Sequence, residues 1–90
     1  MEERTSRLVY IDPSPQAPAI ATALESTISP LQVVLESSAA EAIEAIGDRP
    51  PAGVLTADEL PATDGISFVR TLRRTYPTLP VVLYARNGSE

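Results

Sequence analysis

The sequence predicts an α/β fold: one parallel sheet of four strands in the order 2-1-3-4, with helices carrying the chain between them. Two observations predict it. Four short apolar runs alternate with three stretches of helical periodicity, the pattern of parallel βα units. No internal repeat, linker or low-complexity segment divides the 90 residues, so 1–90 is a single small domain. Right-handed crossovers in a βαβαβαβ chain give that strand order, and in such sheets functional groups gather at the carboxyl ends of the strands.

Leu8-Val9-Tyr10-Ile11 reads as a buried strand stopped by Asp12-Pro13. Ser14 followed by Pro15 predicts a helix start, with a hydroxyl N-cap and proline at the first helical position. Ala17, Ile20, Ala21, Leu24 and Ile28 follow at helical spacing until Pro30 breaks the pattern. Leu31 to Leu35 is the second strand. Ser38 and Glu41 form a candidate capping box, with Ala39, Ala42, Ile43 and Ile46 on one helical face behind it. Gly47 ends that helix and Pro50-Pro51 prevents continuation. Gly53 to Thr56 is the third strand, and Ala57 to Gly65 is polar and turn-rich. Ile66, Val69, Leu72 and Tyr76 predict the apolar stripe of a third helix, with Phe68 beside it and Arg70, Arg73 and Arg74 mostly off it. Val81 to Tyr84 is the fourth strand.

Composition narrows the chemistry. There is no cysteine and no histidine, which excludes disulfides, thiolate metal sites and His-dependent catalysis within the chain. The net charge is −5 and all seven basic residues are Arg, a balance that argues against nucleic acid as the main partner. No stretch approaches the roughly 20 apolar residues of a membrane span, and the Met1-Glu2-Glu3-Arg4 start has no apolar signal region after it. A cytoplasmic protein is the expectation. A chain this short buries a modest fraction of its surface and should have a thin stability margin.

The loop that ends in Leu60-Pro61-Ala62-Thr63-Asp64-Gly65 resembles the one after the third strand of response-regulator receiver domains. That family shows an aspartate, three residues, proline, then two residues before Asp-Gly. The run from Arg73 to Val82 is similar to the family's third helix and fourth strand. Asn87-Gly88-Ser89-Glu90 is similar to the stretch after that strand in receivers of haloarchaeal signalling proteins, and the Lys-free, Asp/Glu-rich composition resembles halophilic proteins. The resemblance covers nearly the whole chain. It implies a flavodoxin-like three-layer sandwich, and it stops before the family's fourth helix, fifth strand and fifth helix. The expected domain is therefore a truncated receiver, its fourth strand left as a sheet edge.

In that family an acidic pair after the first strand binds magnesium, and an aspartate ending the third strand takes the phosphoryl group. A Thr or Ser after the fourth strand and a Lys after the fifth hold the phosphoryl oxygens. Carried over residue by residue, Asp12 matches the first acidic position, but Pro13 follows it. The acceptor position falls on Ala57, whose methyl cannot form an acyl phosphate. The switch hydroxyl position falls on Ala85, and there is no lysine. Asp58, one residue on, is the alternative acceptor, although adjacent residues at a strand end tend to point to opposite sides.

Three functions compete at this point. The first is a non-enzymatic pseudo-receiver in phosphorelay (two-component) signal transduction. It would bind a sensor histidine kinase, another receiver-like domain or a second copy through the fourth-strand edge, and would need no cofactor. The second is an active receiver that uses Asp58, with Mg²⁺ near Asp12. The third is a metal-dependent hydrolase built on Asp12, Asp58 and Asp64. Asp12 also reads as a turn residue, Asp64 as an N-cap with Gly65 relieving the backbone, and the three helix arginines as a solvated face or a site for an acidic partner. Tyr84 reads either as a core residue or as an exposed aromatic.

Overall fold

The computed structural model describes residues 5–85; the readings made on residues 1–4 and 87–90 lie outside them. The elements are β1 (Ser6–Ile11), α1 (Ala17–Thr27), β2 (Leu31–Glu36), α2 (Ala39–Ile46), β3 (Gly53–Ala57), β4 (Glu59–Leu60), β5 (Thr63–Asp64), α3 (Gly65–Thr75) and β6 (Val81–Tyr84). The main sheet runs β2-β1-β3-β6 with every pair parallel, which is the predicted order 2-1-3-4 with β6 as the fourth strand. The intervening β4 and β5, two residues each, form an antiparallel hairpin in the segment read as polar and turn-rich. Its turn has Pro61 followed by Ala62 at φ +68°, the positive φ that a type II turn requires at its third residue.

Strand alternation divides the interior into two faces. Val9, Ile11 and Val54 point to one side. There they pack with Ala42 and Ile46 of α2, Phe68 and Leu72 of α3, and Leu79. Tyr10, between Val9 and Ile11, is fully buried on the other side, the side of α1. The result is the three-layer α/β/α sandwich of the flavodoxin-like receiver fold. No helix among the described residues is long and apolar enough to cross a membrane.

Two helices begin or pack differently from expectation. Ser14 does not cap α1. The Asp12 carboxylate accepts the Ser14 N–H, Ser14 enters a turn that accepts the Ala17 N–H, and the helix starts at Ala17 with Pro18 in its first turn. In α3 the buried residues are Gly65, Phe68 and Leu72, whereas Ile66 is 59 % exposed. Phe68 and Leu72 join Ala42 and Ile46 in the core cluster, and Ile66 is left on the exposed flank of the helix. In α2 the Ser38 hydroxyl accepts the Glu41 N–H and the Glu41 carboxylate accepts the Ser37 hydroxyl. Gly47 ends α2 at φ +55°, and the Tyr76 hydroxyl donates to its carbonyl at 2.6 Å, tying the ends of α2 and α3 together.

Candidate functional site at the carboxyl end of the sheet

Register sets the site. Ile11 pairs with Thr56, so the next residues, Asp12 and Ala57, fall in one row; Ala57 in turn pairs with Tyr84. Asp12, Ala57 and Tyr84 thus stand side by side across three parallel strands on the face of Tyr10. The methyl of Ala57, at 2 % exposure, lies between the other two. Strands sit about 4.8 Å apart, so Tyr84 and Asp12 are separated by roughly two such steps. A phenol ring crosses that gap only because the intervening side chain is small.

It does cross. The Tyr84 hydroxyl donates to Asp12 Oδ2. The Tyr10 hydroxyl donates to the same oxygen at 2.7 Å, and the two hydroxyl oxygens lie 3.0 Å apart. The tyrosine rings are tilted by 39° with centroids 6.4 Å apart. Oδ1 accepts the Ser14 N–H at 2.9 Å. Asp12 is 2 % exposed, and a carboxylate buried that deeply requires partners for its charge. Here they are two phenols and a main-chain amide. Burial first, then the hydrogen bonds to Tyr84 and Asp12, hold the Tyr10 phenol far above its ordinary range.

These residues do not fit a divalent cation. Magnesium takes an octahedron of hard oxygens, and the groups beside Asp12 are the Pro13 ring and the Ala57 methyl. Both Asp12 oxygens already accept hydrogen bonds. Among the described residues no group of three or more His, Cys, Asp or Glu could hold a metal, so Asp12, Asp58 and Asp64 are not brought together as a three-carboxylate cluster. Asp64 is committed elsewhere: its Oδ1 accepts the Ser67 N–H at 2.7 Å as the N-cap of α3. That bond holds its carboxyl below the usual range, with a smaller contribution from Arg70.

Asp58 lies just past β3, half-buried, and its carbonyl accepts the Gly65 N–H at 2.8 Å. Gly65 is there for close approach rather than for an unusual φ. A Cβ at this position would stand 2.6 Å from the Ala57 carbonyl oxygen, 2.7 Å from Leu83 Cδ1 and 2.9 Å from Asp58 Cα. The Asp64-Gly65 pair therefore caps α3 and seats it on the ends of β3 and β6. Ala85 follows β6 and is exposed, and Arg70, Arg73 and Arg74 are exposed along α3.

Sequence reasoning missed Tyr10. A signal was available, because residues two apart on a strand share a face, which puts Tyr10 beneath Asp12.

No family model matches the chain, and no curated protein matches its sequence. Solved structures do match. The signal receiver domain of an HD domain-containing protein from Pseudomonas fluorescens Pf-5 superposes with a TM-score of 0.80 at 20 % identity, over 92 % of this chain and 60 % of that one. A sensor protein from Polaromonas sp. JS666 gives 0.71 at 30 % identity, over 91 % and 66 %. The response regulator domain of CheB from Thermotoga maritima gives 0.77 at 19 % identity, over 97 % and 65 %. The chain is similar to receiver domains in fold, and it spans 60 to 66 % of the length of these three neighbours.

Proposed function

We propose that this chain is a receiver-like module of two-component signal transduction that acts by protein–protein interaction and does not accept phosphate. One observation supports this above the others: the place where the fold would present an acceptor carboxylate is the buried methyl of Ala57, and the Tyr84 ring crosses it to reach Asp12. Phosphoryl transfer to a receiver needs a carboxylate nucleophile and a cation to neutralise phosphate charge. The row offers neither, and the phenols satisfy Asp12 without a metal. On this reading the protein is not an enzyme, needs no magnesium and works in the cytoplasm. Its partner is a sensor histidine kinase or another receiver-like domain.

Incubation with acetyl phosphate, with and without Mg²⁺, tests the reading. No labelling is expected. Stoichiometric, hydroxylamine-labile labelling that Asp58→Asn abolishes would overturn it in favour of an active receiver using Asp58.

A further inference from the structure

We propose that the groove between α2 and α3 is a docking site for an amphipathic helix of a partner protein, whose apolar ridge is flanked by acidic residues on the side that meets α3. The inference deepens the interaction-module reading, and rests on it, by naming the surface and the chemistry of its partner.

The groove is built wholly from elements internal to the chain. α2 packs on β1 and β2, and α3 packs on β6, with Gly65 against the ends of β3 and β6. The two helices leave a channel between them, and α3 stands between that channel and β6. The β4–β5 hairpin closes one end of it through Pro61 and Ala62. At the other end the Tyr76 hydroxyl, on the Gly47 carbonyl, ties the helices together. The space is about 450 Å³.

Its walls select an apolar occupant. Ala39, Ala40, Ile43 and Phe68 face it, and Ile43 is 39 % exposed there. The hydroxyls on its walls are already engaged with main chain. Ser38 accepts the Glu41 N–H at 3.2 Å, Thr71 donates to the Ser67 carbonyl at 3.1 Å, and Thr63 donates to the Asp64 carbonyl at 3.4 Å. A polar metabolite is held by a few convergent polar groups, and these are spent. Two apolar side chains one helical turn apart suit the space instead. A helix laid along the groove presents such a pair at i and i+4.

Charge sets the flank. At about 100° per residue, Arg74 and then Arg70 follow Thr71 around α3, on the side away from buried Leu72. Both are exposed, one turn apart, on the α3 shoulder of the groove. By the same spacing Glu44 stands on the α2 shoulder, beyond Ile43 and away from buried Ala42. More carboxylates lie behind it. Burial first, then Glu41 and Glu44, hold the Glu36 carboxyl above its ordinary value. An acidic flank is therefore attracted to α3 and repelled by α2. Reversing a helix in the groove exchanges its flanks, so this asymmetry also fixes which way round the partner lies.

Fluorescence anisotropy of the full chain with synthetic amphipathic peptides tests this. Each peptide carries a leucine pair at i and i+4, with acidic, neutral or basic residues on one flank. The acidic series should bind about fivefold more tightly than the neutral one, with the difference shrinking as salt is raised. Ile43→Asp should weaken binding at least about tenfold. Ala40→Trp fills the groove from an exposed position and should do the same, with circular dichroism as the fold control for both. Arg70→Glu with Arg74→Glu should turn the preference toward the basic series. No binding by any series at millimolar peptide, equal binding by all three, or binding indifferent to both Ile43→Asp and Ala40→Trp would overturn the proposal. So would self-association of the chain in sedimentation equilibrium that Ile43→Asp abolishes, which would give the groove to a second copy. None of these results bears on phosphate acceptance, which the labelling experiment reads separately.

Discussion

The Tyr10 hydroxyl lies 2.7 Å from Asp12 Oδ2, two residues along the same strand end and on the same face. This contact and its counterpart from Tyr84 replace what an ion would otherwise do for a buried carboxylate. Replacing Tyr10 with Phe removes one donor and leaves the shape of the core intact. A hydrogen bond to a charged group contributes about 1.5–3 kcal/mol, so Tyr10→Phe should lower unfolding stability by an amount in that range. Tyr84→Phe acts on the same oxygen, and the double variant should differ from the sum of the singles. Urea denaturation of the four proteins of the cycle measures it. Strict additivity would mean the hydroxyls do not share Asp12.

The same contact sets an alkaline limit. The Tyr10 phenol has its pKa raised above the ordinary 10.0, by burial first and then by its hydrogen bonds to Tyr84 and Asp12. A proton held more tightly in the folded state than in the unfolded one gives stability that is fully present below the unfolded value and is lost as pH rises beyond it. Stability should therefore fall above about pH 10, and tyrosinate absorbance should show a step that coincides with unfolding. In Tyr10→Phe the decline should be shallower.

The signals readable in the sequence were those carried by neighbouring residues. Pro30, Pro50, Pro51 and Pro80 punctuate the chain where the elements change, and Ser38 and Gly47 cap α2 as their spacing indicates. What stayed hidden depended on distant partners. Ser14-Pro15 has the local form of a helix start, but the Asp12 carboxylate takes the Ser14 amide and the helix begins at Ala17, two residues after Pro15. Ile66 fits an apolar stripe by spacing, yet it is Phe68 that joins the core cluster with Val9, Ile11 and Ile46, from elements distant in sequence. Tyr84 meets Asp12 across 72 residues of sequence. That meeting follows from strand order and the small side chain of Ala57, neither of which a local pattern encodes.

Gly65 gives a sharper packing test than any apolar residue of the core. An added Cβ would meet the Ala57 carbonyl oxygen and Asp58 Cα at distances no real contact shows, and both are main-chain atoms that cannot rotate away. Overpacking of this kind costs about 1–3 kcal/mol, sometimes more. Gly65→Ala should lose at least that much through displacement of α3 from the strand ends. Thermal unfolding together with the near-ultraviolet spectrum reads it. A variant as stable as the parent would mean that α3 does not rest on β3 at this point.

Ala62 offers the opposite sign. Its φ of +68° puts a Cβ in the left-handed region, in the turn that closes β4 on β5. That conformation costs an L-residue about 1–2 kcal/mol, and glycine adopts it freely. Glycine also gives the unfolded chain more freedom, which offsets about 0.4–1 kcal/mol of the gain. Ala62→Gly should therefore stabilise the protein by about 0.5–1 kcal/mol, read as a higher denaturation midpoint with unchanged slope. A loss of stability would place the residue outside the left-handed region and remove the turn geometry assigned to Pro61-Ala62.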